Sequence, residues 1–434
     1  MAASKPVARI VDRKHYDQQY LFEIDESKLP TLAPSSVRVQ PIMLGLAAYN
    51  LSYCALGDML HWYDAYTVPK QLPSPYNNAN QYAVAPGWGY ATVKESTIEE
   101  LKAGTMLYGM LPTSTMLADL ELAQSKDDPQ RWIEVSERRN AMMELYKHYS
   151  VADQDFSSDV NEAFRQWRCG AFVIFQCGYV MNRYVFSAWP LEPVVSPFPG
   201  MTPWTAADAD LTRSVVITLG SGSKTCRSFV HQVATNRADG RGPVAVVEVT
   251  ASGRSGIEGI EVPFKHRVAD YDEARSPEVS QWIMETGADN VKVLDFGGRG
   301  DFLEALTSHL GTTWPQAAVQ VMTIGTAPKV YTEEDMKERM AKGAKTQAVR
   351  LNTSPIIEAL MKEIGQRETH ELLINGWRKV VESETVRNAG TTREGQVLGH
   401  ELDVRKGVKG GLDVAWTQLC EGKTVSNTAV VISL

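Results

Sequence analysis

The sequence predicts an α/β protein in which a β-rich, barrel-like domain is split around a doubly wound parallel-sheet domain. Three observations predict it. Short β-rich runs separated by Pro and Gly clusters extend to about residue 150. Between residues 214 and 324, β-branched runs of the buried type alternate with amphipathic stretches, as parallel neighbours joined by crossover helices require. Residues 415–434 then read as a helix, a turn at Gly422 and a strand, a return to the first domain. At about 150 residues per domain, 434 residues allow two or three domains. The alternation makes it two, with 1–154 and 349–434 forming the split domain and 155–348 the parallel-sheet domain.

The elements follow in chain order. Runs at 7–11, 37–43 and 90–93 read as strands, broken by LPTLAPSS and LPSPYNNANQ. The charge-dense stretch SKDDPQRWIEVSERRN reads as a solvated surface insertion. Asp155 or Ser157 is placed to cap a helix through Val185 whose apolar residues run almost all round, as in an element covered by the rest of the molecule. Gln176, Asn182 and Arg183 would cost several kcal/mol at a bilayer centre, so 171–189 reads as a core helix and not a membrane span.

SVVITL at 214–219 is a short apolar run of the kind found in buried parallel strands. A Gly-rich loop follows, and then Cys226, Phe229, Val230, Val233 and Ala234 fall on one helical stripe. Further strands are expected at 244–249, 266–269, 291–296 and 318–324, with a helix carrying Phe302, Leu303, Leu306 and Leu310. TEEDMKERMAKGAKTQ reads as a charged surface helix, and 355–382 carries two more helical patterns.

Composition narrows the function classes. Lys+Arg 44 against Asp+Glu 52 leaves a net charge of −8, which argues against a nucleic-acid or anionic-membrane partner. The N-terminus lacks the apolar core of a signal peptide, and five scattered cysteines fit free thiols in a reducing, cytoplasmic setting.

Gly220-Ser221-Gly222-Ser223-Lys224-Thr225 fits G-x-G-x-x-T between a strand and a helix. Glycine lets the backbone approach a pyrophosphate, and the helix N-terminus offers free N–H groups to that anion. Thr225 stands where the fingerprint has its third glycine, and the alternative is a tight turn with no ligand. A P-loop would need Gly at 223 and at 218, where Ser and Thr stand, so nucleotide hydrolysis is disfavoured. The tip of the second strand carries no acid after Glu248, which lies inside the strand; if a nicotinamide cofactor binds, NADPH is favoured, with Ser252 and Arg254 on its extra phosphate.

This order of parts resembles the medium-chain dehydrogenase/reductase superfamily, in which a GroES-like domain is split around a Rossmann-type domain. The stretches YNLSYCALGDMLHWYDAYTVP, WGYATV, LGSGSKTC and GTAPKVY resemble DUF2855, a family without an assigned reaction, with 125–140 and 386–409 as extra material. The superfamily's alcohol dehydrogenases hold catalytic zinc through a Gly-His-Glu element. Here Gly87-Trp88-Gly89 falls in that place and no cysteines cluster, which points to the zinc-free quinone and enoyl reductases. The resemblance implies that Gly325 and Thr326 belong to the cofactor set and that Asn50, His61, Trp62 and Tyr66 line the substrate pocket. It makes Tyr53 and Tyr63 candidate proton donors, with packing around an apolar pocket as the other reading. It also allows a homodimer.

The expected function is NADPH-dependent reduction of an activated alkene or carbonyl in an apolar, polyketide-like substrate held between the domains. Two alternatives stand beside it: a non-redox cyclase, lyase or isomerase using the same pocket, and a non-catalytic small-molecule binding protein.

Overall fold

The computed structural model describes residues 5–152, 161–325, 329–332, 334–335, 338, 348–424 and 427–434. The chain forms two compact units: Met1–Val173 with Pro328–Glu334 and Leu402–Leu434, and Ile174–Ala327 with Asp335–Glu401. Among the described residues, no helix is long and apolar enough to cross a membrane.

The first unit is antiparallel. Strand β1 (Val7–Asp12) lies between β2 (Gln19–Glu23) and a short strand at Tyr82–Ala83. The long strand β3 (Ser36–Leu46) is followed by helix α1 (Ala48–Ala55) and then by β4 (Pro86–Ser96), β5 (Met106–Pro112), β6 (Ala118–Gln124), β7 (Arg131–Glu134) and β8 (His148–Val151). Strand β3 pairs with β4 along one edge. On the other edge Ser36–Val39 pairs with β6, and Met43–Leu46 pairs with the last strand, Thr428–Ser433. Pro41, which has no N–H to give a ladder, lies where that second partner changes. Pairing runs β3-β4-β5-β8-β7-β6 and back to β3, so six strands close a barrel.

The barrel corrects one expectation. The charged stretch after Ser125 is not a solvated insertion, because β7 within it pairs with β6 on one side and β8 on the other and so completes the closure. Four of its charged residues, Asp128, Arg131, Glu134 and Arg139, are buried, while Lys126, Asp127 and Glu137 stay exposed. Glu134 is buried beside Arg139 at 3.5 Å, and Arg139 donates to the Tyr149 hydroxyl at 2.9 Å and to the Ala65 carbonyl. Part of the charge density here marks buried pairs, and the rest faces water.

The second unit is a six-stranded parallel sheet built from β9 (Ser214–Leu219), β10 (Ala245–Val249), β11 (Lys265–Ala269), β12 (Asn290–Asp295), β13 (Ala318–Thr323) and β14 (Val349–Arg350). Their order is β11-β10-β9-β12-β13-β14, which is the doubly wound 3-2-1-4-5-6 arrangement. Every residue of β9 is buried, and helix α2 (Lys224–Thr235) buries Cys226, Phe229, Val230 and Val233 as the stripe predicts. The helix at 161–185 contains two π-helical turns and is buried through most of its length; its expected caps Asp155 and Ser157 lie outside the described residues, as does most of TEEDMKERMAKGAKTQ.

The helices Thr353–Glu363 and α3 (Gln366–Asn388) pack in this unit, so the return to the first unit starts at Leu402, where sequence alone placed it at 349. Two side chains explain the difference. Trp377 of α3 is fully buried with its ring 5.1 Å from Phe175, and Glu384 of α3 lies buried 3.4 Å from His231 of α2. An apolar face on α3 therefore covers the sheet domain.

Candidate nucleotide-binding site

The strand order of the parallel sheet reverses between β9 and β12, and ligands bind such sheets outside the carboxyl ends of the strands at that point. Gly220 ends β9 there with φ +75°, and a Cβ added to it would lie 3.3 Å from the Gly297 backbone beyond β12. Only glycine fits both conditions. Asp295 Oδ1 holds the opposite loop by accepting the Gly297 and Gly298 amides at 2.9 and 2.5 Å.

Gly222 differs. A Cβ there would meet only Thr250 Oγ1, at 3.9 Å, so the space beside it is open and the glycine is not demanded by packing. The Ser221 hydroxyl is buried against Thr218 Oγ1 at 2.7 Å, and Ser223 caps α2 by accepting the Cys226 amide at 3.3 Å. Lys224 and Thr225 stand half-buried in the first turn. Among the described residues the Lys224 ammonium has no hydrogen-bond or ion-pair partner, and burial, followed by the neighbouring Arg227 charge, lowers it to about 8. An open glycine, free N–H groups and an uncompensated cation at one helix N-terminus fit a dinucleotide pyrophosphate.

At the tip of β10, Glu248 is buried and fully engaged. It accepts from Ser255 Oγ at 2.5 Å and from the Gly256 amide at 2.9 Å, and it meets His266 Nε2 at 2.9 Å. No carboxylate is left at this tip for a ribose hydroxyl. Ser252 and Arg254 are exposed in the loop that Glu248 fixes, with Ser252 Oγ 3.0 Å from Thr250 Oγ1 and accepting the Arg254 amide at 3.4 Å. Gly325 ends β13 so close to Phe296 that a Cβ would lie 2.7 Å from its carbonyl oxygen; Thr326 lies outside the described residues.

Sequence reasoning missed Arg227, Arg393 and His400 around this loop. Arg227 is on the same helix as Lys224, three residues on, and could have been found from that spacing. Arg393 and His400 come from a distant segment, and nothing local in the sequence joins them to the loop.

In the first unit the expected pocket residues are mostly occupied by internal contacts. Asn50 is fully buried, accepts the Ala47 amide at 2.9 Å and donates to the Pro86 carbonyl at 3.3 Å. The Tyr66 hydroxyl donates to the Met110 carbonyl at 2.6 Å beside Tyr149. His61 has φ +60° and is half-exposed, with Nδ1 2.9 Å from Asp64. Trp62 is buried, and its indole nitrogen has no hydrogen-bond partner among the described residues. Tyr53 lies in an aromatic cluster, its ring 4.6 Å from Trp62, and its hydroxyl accepts from the Trp88 indole at 2.8 Å. Tyr63 is 3% exposed, under the Arg13 guanidinium and beside the Cys54 thiol. Burial raises the pKa of both phenols well above the ordinary range. All five cysteines are buried and free, and no three metal-ligating side chains converge among the described residues.

A family profile described as "Protein of unknown function (DUF2855)" matches residues 44–425. The chain belongs to that family. No curated protein matches its sequence. Among solved structures, CurA from Vibrio vulnificus in complex with NADPH is similar to this DUF2855 chain at a TM-score of 0.50 and 10% identity, over 98% of each chain. Escherichia coli quinone oxidoreductase complexed with NADPH gives 0.49 and 11%, over 99% of this chain and 100% of that one. A mutant form of enoyl thioester reductase from Candida tropicalis gives 0.48 and 12%, over 100% of both. What the chain shares with CurA is the fold, and the two lower scores add nothing to that. The GroES-like barrel and Rossmann-type sheet expected from the medium-chain dehydrogenase/reductase resemblance are the fold of this DUF2855 protein.

Proposed function

We propose that the chain is an NADPH-dependent reductase acting on an activated alkene or carbonyl of an apolar substrate. The observation that carries this reading is the loop after β9: Gly222 opens onto free space, Ser223 caps the helix behind it, and Lys224 holds an ammonium without a counter-charge. When bound, NADPH supplies a hydride. The chain's own part is to bind and orient it. Gly220 and Gly222 admit the pyrophosphate to the α2 N-terminus, Lys224 neutralises it, and Ser252 and Arg254 face the additional phosphate that an acid at the β10 tip would repel. The NADPH in the solved CurA complex, on a shared fold, supports the same assignment.

Neither Tyr53 nor Tyr63 receives a chemical role in this reading, since one hydroxyl is bonded to Trp88 and the other is buried beside Cys54. That burial is the observation favouring a second reading, a non-redox lyase, cyclase or isomerase that keeps the nucleotide as a structural element.

Thermal stability and nicotinamide fluorescence with NADPH, NADP and NADH test the proposal. A ligand at a hundred times its Kd stabilises by about 2.7 kcal/mol, so NADPH should raise the unfolding temperature measurably and more than NADH does. Slow NADPH oxidation by generic quinones or enones would then support the reductase. Binding without oxidation favours the second reading, and no shift with any nucleotide at millimolar concentration overturns both.

A further inference from the structure

Residues 389–400 follow α3 and lie outside any strand-turn-helix nucleotide motif, yet they bring two side chains to the loop beyond β10. Arg393 Nη1 donates to the Glu258 carbonyl at 2.6 Å, which fixes the guanidinium beside that loop. Arg227 Nη1 donates to the Gly399 carbonyl at 2.6 Å. The two guanidinium groups flank one glycine: a Cβ at Gly399 would lie 2.5 Å from Arg227 Nη1 and 3.3 Å from Arg393 Nη2. His400, the next residue, is 2% exposed, and among the described residues neither its Nε2 nor the buried Arg227 Nε has a hydrogen-bond partner.

Lys224, Arg254 and Arg393 all bear on the Arg227 charge, and the acid that acts on Arg227, Glu248, is taken up by Ser255, Gly256 and His266. Burial first, and then Lys224 and Arg227, hold His400 well below the usual imidazole range, so its ring is neutral. The ring hydrogen-bonds the backbone of Val397 and Leu398 while Nε2 has no partner among the described residues, which leaves Nε2 as the nitrogen able to accept. Clustered like charges destabilise a fold unless an anion joins them. A planar fork suits a phosphate, and a neutral imidazole acceptor suits a hydroxyl.

We propose that Arg393 and His400 form a second wall of the nucleotide site, in which Arg393 and Arg227 select a phosphate on the ribose nearest the end of β10 and His400 Nε2 accepts a hydroxyl of that ribose. This inference rests on the NADPH reading and goes beyond it by assigning specificity to a segment remote from the Gly-rich loop. Arg393 is half-buried on a loop, so its replacement leaves the core intact.

The test titrates the full chain, as wild type, Arg393→Gln and Arg393→Lys, with NADPH, NADH, adenosine 2′,5′-bisphosphate, ADP and inorganic phosphate by fluorescence and calorimetry. Arg393→Gln should weaken NADPH and the 2′,5′-bisphosphate about tenfold or more and leave NADH and ADP unchanged, while Arg393→Lys recovers part of the loss. Unchanged affinity for the 2′,5′-bisphosphate overturns the inference, as does an equal loss for NADPH and NADH. Wild-type preference for NADPH that survives in Arg393→Gln sinks this inference alone. If inorganic phosphate competes as well as the bisphosphate, the site reads free anions and the ribose assignment to His400 falls. Wild type that binds no nucleotide sinks the NADPH reading itself.

Discussion

Glu248 Oε2 accepts the Gly256 amide at 2.9 Å, so a carboxylate buried in the second strand of the parallel sheet holds the loop that follows it. The same carboxylate meets Ser255 and His266 through Oε1. In this sheet the acid of the second strand serves the loop and is not available to a ribose. Removing one partner from such a group leaves the others buried and unsatisfied. Glu248→Leu should destabilise the fold by about 2–4 kcal/mol in urea titrations, and its NADPH affinity should fall as loop 250–256 loosens. Wild-type stability in this variant would show that the three contacts contribute little.

The two glycines of the loop should respond differently. Gly220→Ala meets both the positive φ and the Gly297 backbone, so it should cost about 1–2 kcal/mol of stability. Gly222→Ala meets open space and should fold normally, yet weaken NADPH about tenfold because the methyl group lies where a pyrophosphate would approach. Equal nucleotide binding by wild type and Gly222→Ala would refute the placement.

Lys224 predicts a pH dependence. In the free protein its ammonium titrates at about 8, and a bound phosphate favours the charged form and raises that value. Binding therefore takes up a proton above pH 8: affinity for NADPH is full below that pH and weakens as pH rises through it, by up to about tenfold per unit. Fluorescence titrations at pH 7, 8 and 9 check this, with Lys224→Met expected to be weaker and flat. Tighter wild-type binding at pH 9 than at pH 7 contradicts the assignment.

The thiols should be silent in the native state. Burial raises Cys54, Cys226 and Cys420 to about 12 and Cys177 to about 11, and pushes Cys169 up as well. Thiolate is the reactive form. A chromogenic disulfide reagent at pH 8 should report almost no fast-reacting thiol on the folded chain and five after denaturation. A fast native thiol would mean one of these sites opens.

Glu384 ties α3 to α2. Burial alone would raise its carboxyl, but the hydrogen bond from His231, the charges of His231 and Arg387, and the Leu398 amide bring it below the usual range. With a depressed folded value, its contribution is present above an unfolded pKa of about 4.3 and is lost as pH falls through the folded value. Glu384→Leu should cost about 3 kcal/mol at pH 7 and much less near pH 3. A loss independent of pH would assign the cost to packing.

Much of the architecture was legible because burial leaves a local mark. A strand buried on both faces must be apolar throughout, and SVVITL at 214–219 is β9 from end to end. The Gly-rich loop was legible for the same reason, since left-handed backbone at Gly220 selects its residue. The charged stretch after Ser125 misled because a buried ion pair and a solvated one have the same composition; Glu134 and Arg139 differ from surface residues only in what surrounds them.

The sequence by itself determined the two kinds of domain, the place of the loop after β9 and the lack of an acid at the tip of β10 beyond Glu248, because each depends on residue type at short range. The tertiary structure decided the rest. Tyr53 bonds to Trp88, thirty-five positions away, and Asn50 to Pro86, partners that their local motif did not announce. Arg227 and Gly399 are 172 positions apart, and what brings them together is the packing of α3 on the sheet domain, a long-range contact with no period or spacing in the chain to announce it.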